Sequence, residues 1–338
     1  MKKIKTIDSV GCVLQHDITQ ILPGEFKGRA FKKGHIIKEE DIPKLLSLGK
    51  DHIFVFELGD TGLHENEAAL ILGELGRGEN IKTDDEIKEG KINFRANCGG
   101  ILKVDTEKLL ELNMLGEISF ATLPNNYPVK SGDLIGGSRV IPLVINKTKM
   151  EKAKDIIHSP LLKVAPYKKY NIGIITTGNE VFYGRIEDKF GKVIKDKFAE
   201  YNCNIVGQEI CPDDKELIKS AAHKLLTTGA DLLVFTGGMS VDPDDLTPTA
   251  IIEMGGELVT YGAPVLPGAM FLLSYLNDTP MMGLPGCVMF AKRTIFDLVL
   301  SRVMTGEKLT KKDIMSYGNG GLCQSCEICH YPNCSFGR

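Results

Sequence analysis

From residue 170 onward the chain repeats one rhythm: a short apolar run, a turn, then a stretch with helical spacing. NIGIITTG reads as a strand entering a turn, KFGKVIKDKFAEY as a helix and NIVGQEI as a strand. DKELIKSAAHKLLTTG reads as a helix capped by Asp213 or Asp214 and closed by Gly229. DLLVFTGG is a strand, LTPTAIIEMGG a helix, PMMGLPG a strand and CVMFAKRTIFDLVLSRVM a long final helix. Strands that alternate with helices at this spacing join through βαβ crossovers, because parallel neighbours need a connection long enough to return to the starting edge. The pattern predicts an α/β unit over 166–310, a three-layer parallel-type sheet with helices on both faces.

The preceding residues obey different rules. Residues 1–60 alternate short apolar runs with glycine turns, which predicts a β-rich segment with a helix over 39–48 ended by Gly49. Residues 61–165 predict a small α+β domain: a helix over 65–76 with Gly76 as its C-cap, strands through 90–146, one helix near 105–115, and a helix leading to a proline-marked connection. In LPGEFKGRAFKKGH, Lys27, Arg29, Lys32 and Lys33 stand among three glycines, as either an anion-binding turn or a solvated basic one. The net charge of −3 gives no global field for nucleic acid or an anionic membrane. No apolar run approaches the roughly 18–20 residues of a spanning helix, and MKKIKTIDSV lacks the apolar core of a secretion signal. A cytoplasmic protein is the expectation.

Ligands of an open parallel sheet sit beyond the carboxyl ends of its strands. The first strand delivers Thr176, Thr177, Gly178, Asn179 and Glu180 there. DLLVFTGGMSVDPDDLT delivers Thr236, Gly237, Gly238, Ser240, Asp242 and Asp245, and the last strand delivers Pro285 and Gly286. Glycine loops bring backbone N–H groups close to an anion, which suits phosphate. Carboxylates beside phosphate suit Mg²⁺, a hard ion with oxygen ligands. No Walker A or G-x-G-x-x-G pattern occurs, which argues against an NTPase or a Rossmann dinucleotide site.

ITTGNEV, CPDD, ADLLVFTGGMSVDPDDLT, VLPG and GLPGCV, in that order, resemble the molybdopterin-binding domain shared by molybdopterin adenylyltransferases and molybdopterin molybdenumtransferases. FKKGHIIKEEDIPKLLSLGKDHIFVF is similar to the segment that precedes that domain in the molybdenumtransferases. The resemblance implies a site for molybdopterin or its adenylylated form at the loop edge. It implies cofactor-binding roles for Thr177, Gly178, Asn179, Thr236, Gly237, Gly238, Ser240, Asp242, Pro285 and Gly286. It implies catalytic roles for Glu180 and Asp245, with Asp242 and Asp245 on Mg²⁺. The implied activity is Mg²⁺-assisted molybdate insertion with release of AMP. The alternatives are a non-catalytic molybdopterin carrier, maturation factor or sensor, and a molybdopterin adenylyltransferase. Expected partners are the pterin cofactor, molybdate, a molybdoenzyme and further copies of the chain in a dimer or trimer. The sequence departs from the family at VLPGAMF, where Leu266 and Ala269 occupy lysine positions, and at LPGCV, where Cys287 replaces an asparagine.

Of nine cysteines, Cys323, Cys326, Cys329 and Cys334 crowd into the last sixteen residues as C-x2-C-x2-C-x4-C. The run fits an iron–sulfur cluster, a zinc site or an unligated thiol tail. Glycines at 318, 320 and 321 predict that residues 311–338 hinge away from the α/β unit.

Overall fold

The computed structural model describes residues 2–22, 26–56, 62–88, 90–240, 242–243 and 245–338, the side chains of residues 21, 22, 26 and 27 excepted. The side chain of Lys27 and the expected boundary at 60/61 lie outside the described residues. The chain forms two compact units, one of Met1–Asn125 with Val129–Val164 and one of Asn126–Pro128 with Ala165–Arg338. Among the described residues no helix is long and apolar enough to cross a membrane.

In the first unit, Lys2–Lys5, His52–Phe56 and Val13–Leu14 pair antiparallel around Leu14, Ile53 and Val55, and Ile42–Ser47 forms the short helix after Glu39–Asp41. The helix Glu65–Gly76 packs Ala68, Ala69 and Leu72 against a four-stranded antiparallel sheet. Gly76 is the last helical residue rather than the cap. A Cβ there would fall 2.5 Å from Phe94 Cζ, so close packing explains the glycine.

The second unit is built on six strands: β1 (Asn171–Thr177), β2 (Asn204–Cys211), β3 (Leu232–Thr236), β4 (Glu257–Tyr261), β5 (Leu272–Leu276) and β6 (Thr279–Leu284). Their order is β2-β1-β3-β6-β5-β4. β2, β1, β3 and β6 run parallel, and β5 is antiparallel to both β6 and β4. The sheet is therefore mixed at one edge. The reading by rhythm missed β4 and β5 because no helix separates β5 from β6, so no crossover marked them.

Period-two alternation sorts the side chains into two layers. Ile172, Ile174, Leu232, Val234, Met282 and Leu284 face one core, which includes Ile194 and Phe198 of α1 (Phe190–Phe198) and Phe296 and Val299 of α4 (Ile295–Val303). Ile175, Leu233, Phe235 and Met281 face the other, with Ile218 and Ala222 of α2 (Lys215–Thr227) and Ile251 of α3 (Thr247–Glu253). Helices on both faces give the expected three-layer α/β fold.

Two expectations fail at the C-terminus. The long helix over 287–304 is broken, because Thr294 caps it: its hydroxyl accepts from Phe296 N–H while Asp297 accepts from Thr294 N–H. Within that span Gly286–Met289 is a 3-10 turn and Ile295–Val303 the α-helix, and residues 290–293 between them turn and bend. The tail does not hinge away. After α5 (Lys311–Ser316) it returns to the domain, and Phe336, 3% exposed, enters the same core as Phe296. Leu266 N–H donates to Gly321 O, and Cys323 N–H to Leu266 O, each at 2.8 Å. The glycines read as hinges permit this close docking. A Cβ on Gly320 would lie 2.1 Å from Arg338 O, and one on Gly321 2.4 Å from Tyr317 O.

Candidate functional site

The carboxyl ends of β1 and β3 share a buried hydroxyl cluster. Thr176, Thr177, Thr236 and Thr247 are all buried. Thr177 Oγ1 donates to Thr236 O at 3.3 Å and meets Thr247 Oγ1 at 2.9 Å, which leaves Thr247 as the donor between the two hydroxyls. Buried polar groups persist only when paired, so this cluster fixes the strand ends and the first turn of α3 to one another.

The Gly237–Gly238 turn wraps over that cluster. Both residues have positive φ, 87° and 52°. A Cβ on Gly237 would lie 2.1 Å from Thr177 O, and one on Gly238 2.9 Å from Thr247 Oγ1. The turn needs glycine both for its backbone conformation and for its closeness to the threonines. Beyond it, the Tyr261 hydroxyl donates to Met239 O and Ser240 O, each at 3.2 Å. Burial, then the Asp245 carboxylate, push the Tyr261 phenol above its ordinary range, so it stays a donor.

Asp242 and Asp245 form a small closed turn: Asp242 N–H donates to Asp245 Oδ2 at 3.0 Å and Asp245 N–H to Asp242 O at 2.9 Å. Val241 and Asp244 lie outside the described residues. On β1, Gly178 has φ 141° and leads into the one-turn helix Asn179–Phe182. Glu180 is exposed there, its carboxylate beside Gly178. Pro285 is buried and Gly286 exposed at the turn after β6.

The loop from β2 adds a residue whose site role was not foreseen. The Asp-Asp pair in CPDD splits its work. Asp214 caps α2 by accepting from Leu217 N–H, and Asp213 turns the other way. Asn179 N–H donates to Asp213 Oδ2 at 2.9 Å, and Asp213 N–H returns a bond to Asn179 Oδ1 at 3.4 Å. Two acids at a helix start, where one suffices as cap, were the available signal. Gln208 is a second such residue: its amide donates to Thr176 Oγ1 and Asp188 Oδ2 and so holds the α1 start to β1. Nothing in the local sequence marks it, since it sits mid-strand.

The structure thus groups Thr177, Thr236, Gly237, Gly238, Asn179 and Asp213 on one interlocked edge. It keeps Asp242 and Asp245 in their own turn. Among the described residues no three His, Cys, Asp or Glu side chains are gathered to hold a metal ion as they stand, here or in the tail.

Residues 173–305 match the family described as "Probable molybdopterin binding domain". Residues 3–57 match a domain family of unknown function, DUF8806. The chain is similar to the molybdopterin molybdenumtransferase of Haemophilus influenzae, 25% identical over 274 residues that cover 74% of this chain and 65% of the relative. It is also similar to a CinA-like protein of Mycobacterium sp. (strain JLS), 36% identical over 88 residues, 26% of this chain and 21% of that one. The chain therefore spans less than two thirds of the length of either relative. Among solved structures it resembles the tungsten cofactor synthesizing protein MoaB from Pyrococcus furiosus (23% identity, TM-score 0.34, covering 40% of this chain and 93% of that one). It also resembles the molybdopterin biosynthesis MoeA protein from Pyrococcus horikosii (18% identity, TM-score 0.33, covering 71% and 78%). The interlocked threonines and glycines described above lie within the residues that match the molybdopterin-binding domain family.

Proposed function

We propose that this chain binds molybdopterin or its adenylylated form across the carboxyl edge of the six-stranded sheet and takes part in molybdenum cofactor biosynthesis. The specific reaction proposed is Mg²⁺-assisted insertion of molybdate with release of AMP. The observation that carries the reading is the Gly237–Gly238 turn seated on Thr177 and Thr247, a loop with no side chain of its own pressed onto a rigid base. Such a turn lets a phosphate approach the backbone without cost of reorganisation.

The donor chemistry at the neighbouring turn fits Mg²⁺. Asp242 and Asp245 bring two carboxylates onto one turn, closed by Asp242 N–H on the Asp245 carboxylate and Asp245 N–H on the Asp242 carbonyl, and Mg²⁺ is commonly bound by one or two carboxylates plus substrate phosphate and water. When bound there, the ion supplies Lewis-acid stabilisation of charge on the phosphoryl oxygens. The chain's own residues do the rest. The Asn179–Asp213 pair orients the first loop, Tyr261 fixes the carbonyls of Met239 and Ser240, and the buried threonines keep the strand ends from yielding as the ligand seats.

A second reading, a molybdopterin carrier without transfer, draws support from VLPGAMF. Leu266 and Ala269 are exposed and carry no charge, and the Leu266 backbone is occupied by the tail. One experiment separates the two: incubation of the full chain with adenylylated molybdopterin, Mg²⁺ and molybdate. The transferase releases AMP, and Asp245→Asn loses at least roughly tenfold in Mg²⁺-dependent rate. Tight binding without AMP release supports the carrier. Equal rates for parent and Asp245→Asn would refute the role given to Asp245.

A further inference from the structure

The four tail cysteines are scattered along twelve residues, yet all four line one cavity of about 230 Å³. All are free thiols; Cys323 is half-buried and the other three are exposed. The loop that carries them is fastened at both ends. At its start, residues 321–323 pair with Leu266; at its end, Phe336 enters the core and Gly337 N–H donates to Gly320 O at 2.9 Å. Between the fastenings, Ser325 takes a left-handed φ of 53°, unusual for a residue with a side chain, and it lies inside the first C-x2-C step. The Tyr127 hydroxyl donates to Asn333 Oδ1, and Arg338 donates to Pro332 O, which holds the return of the loop next to Cys334.

The rest of the cavity wall comes from the domain. Pro267 follows Leu266, and Lys292 and Arg293 lie in the bend between the 3-10 turn Gly286–Met289 and α4. Arg293 is clamped by Glu200 and Asp297 and lies over the Tyr331 ring at 5.0 Å; Lys292 donates to Glu327 O. Thiols, aromatic rings and two fixed cations thus surround one space.

We propose that this cavity holds an iron–sulfur cluster ligated by Cys323, Cys326, Cys329 and Cys334. The choice between a single ion and a cluster follows from the space enclosed. A zinc site draws four sulfurs to about 2.3 Å from one point and leaves no cavity between them. Here the thiols stand around an opening, and no three of them are close enough to grip one ion. A cluster fills that opening with its own iron and sulfide, so its ligands stand further apart. Its thiolate-bound form is anionic, which suits Lys292 and Arg293 on the wall. Two successive C-x2-C steps are a common cluster-binding run. The inference does not depend on the pterin reading, since every ligand lies outside the loop edge assigned to it.

The test is made on the full chain, produced with ample iron and purified without oxygen, and then treated with iron salts, sulfide and thiol under argon. We expect about four irons and a similar amount of acid-labile sulfide per chain, with broad absorption at about 400 nm. The Cys326→Ser, Cys329→Ser double variant replaces exposed side chains and should unfold thermally like the iron-free parent while holding no iron and showing no absorption. Cys203→Ser, remote from the tail, should keep both. Stoichiometric zinc without sulfide would overturn the proposal. So would iron retained in the folded double variant, absence of iron after reconstitution, or disulfides among these four cysteines under the same conditions.

Discussion

The Gly237–Gly238 turn and the Gly320–Gly321 turn read alike in sequence, and the structure uses both for contact. At the loop edge, Gly237 lies over Thr177 O; in the tail, Gly320 lies over Arg338 O. In either place a built Cβ would fall 2.1 Å from a backbone oxygen. The difference is what rests on the glycine. At the edge both glycines stay partly exposed, and the proposed ligand rests there. In the tail the chain itself returns, with Phe336 behind it. A glycine pair therefore states that something comes close. Whether that something is ligand or chain depends on residues far away in sequence.

The largest expected effect tests the edge. Gly237→Ala must accommodate a left-handed φ and a clash with backbone, which has no rotamer to move. We expect a loss of about 2–5 kcal/mol, combining conformational strain with overpacking, read as a shift in the urea midpoint. Parent-like stability would show that the turn relaxes off Thr177 and that the edge is not the rigid base argued above.

The next effect tests the tail. Phe336→Ala removes a ring that is 3% exposed, and it should cost about 3 kcal/mol by the same measurement. A freely hinged tail predicts no change. Loss of stability in this variant, set beside the stability of the iron-free parent in the double cysteine variant, would assign the tail's contribution to packing and leave its thiols for a ligand.

What the sequence made legible follows from where each constraint sits. The α/β class, the first three strands and their helices were readable because each residue pattern is local: Leu232–Phe235 alternates between two cores, and Lys215–Thr227 carries its own cap. The helix Glu65–Gly76 was placed to the residue, although Gly76 serves Phe94 instead of the helix end. β4 and β5 were not readable by rhythm, and the docked tail was not readable at all. Its anchors, Leu266 with Gly321 and Phe336 with the α4 core, join positions fifty-five and about forty residues apart. At the site, residues that stand on a motif are legible; the cap reading leaves Asp213 and Asp214 open and the structure gives it to Asp214, while Gln208 escapes because its partners Thr176 and Asp188 come from other elements.

The smallest effect separates charge from packing at the point where the tail departs. Arg302 of α4 is buried and donates to Glu307 and to Asp313 of α5, each at 2.7 Å, so the last helix is tied to the core before the glycines begin. Burial alone would raise the Asp313 carboxyl. The hydroxyl of Thr310, the Arg302 guanidinium and the Thr310 amide outweigh it and bring the carboxyl down to about 2. An unfolded aspartate titrates at about 3.9, so the native state favours the ionised form. The resulting stability is present above about pH 4 and is lost as pH falls through the folded value near 2. Asp313→Asn leaves Arg302 with Glu307 and should cost about 2 kcal/mol at neutral pH, the scale of a carboxyl lowered from about 3.9 to about 2. The difference between parent and variant should stay constant down to about pH 4 and close below it, because the parent's own carboxyl is then neutralised. A difference that persists unchanged to about pH 2 would place the cost in local packing and not in the charge of Asp313.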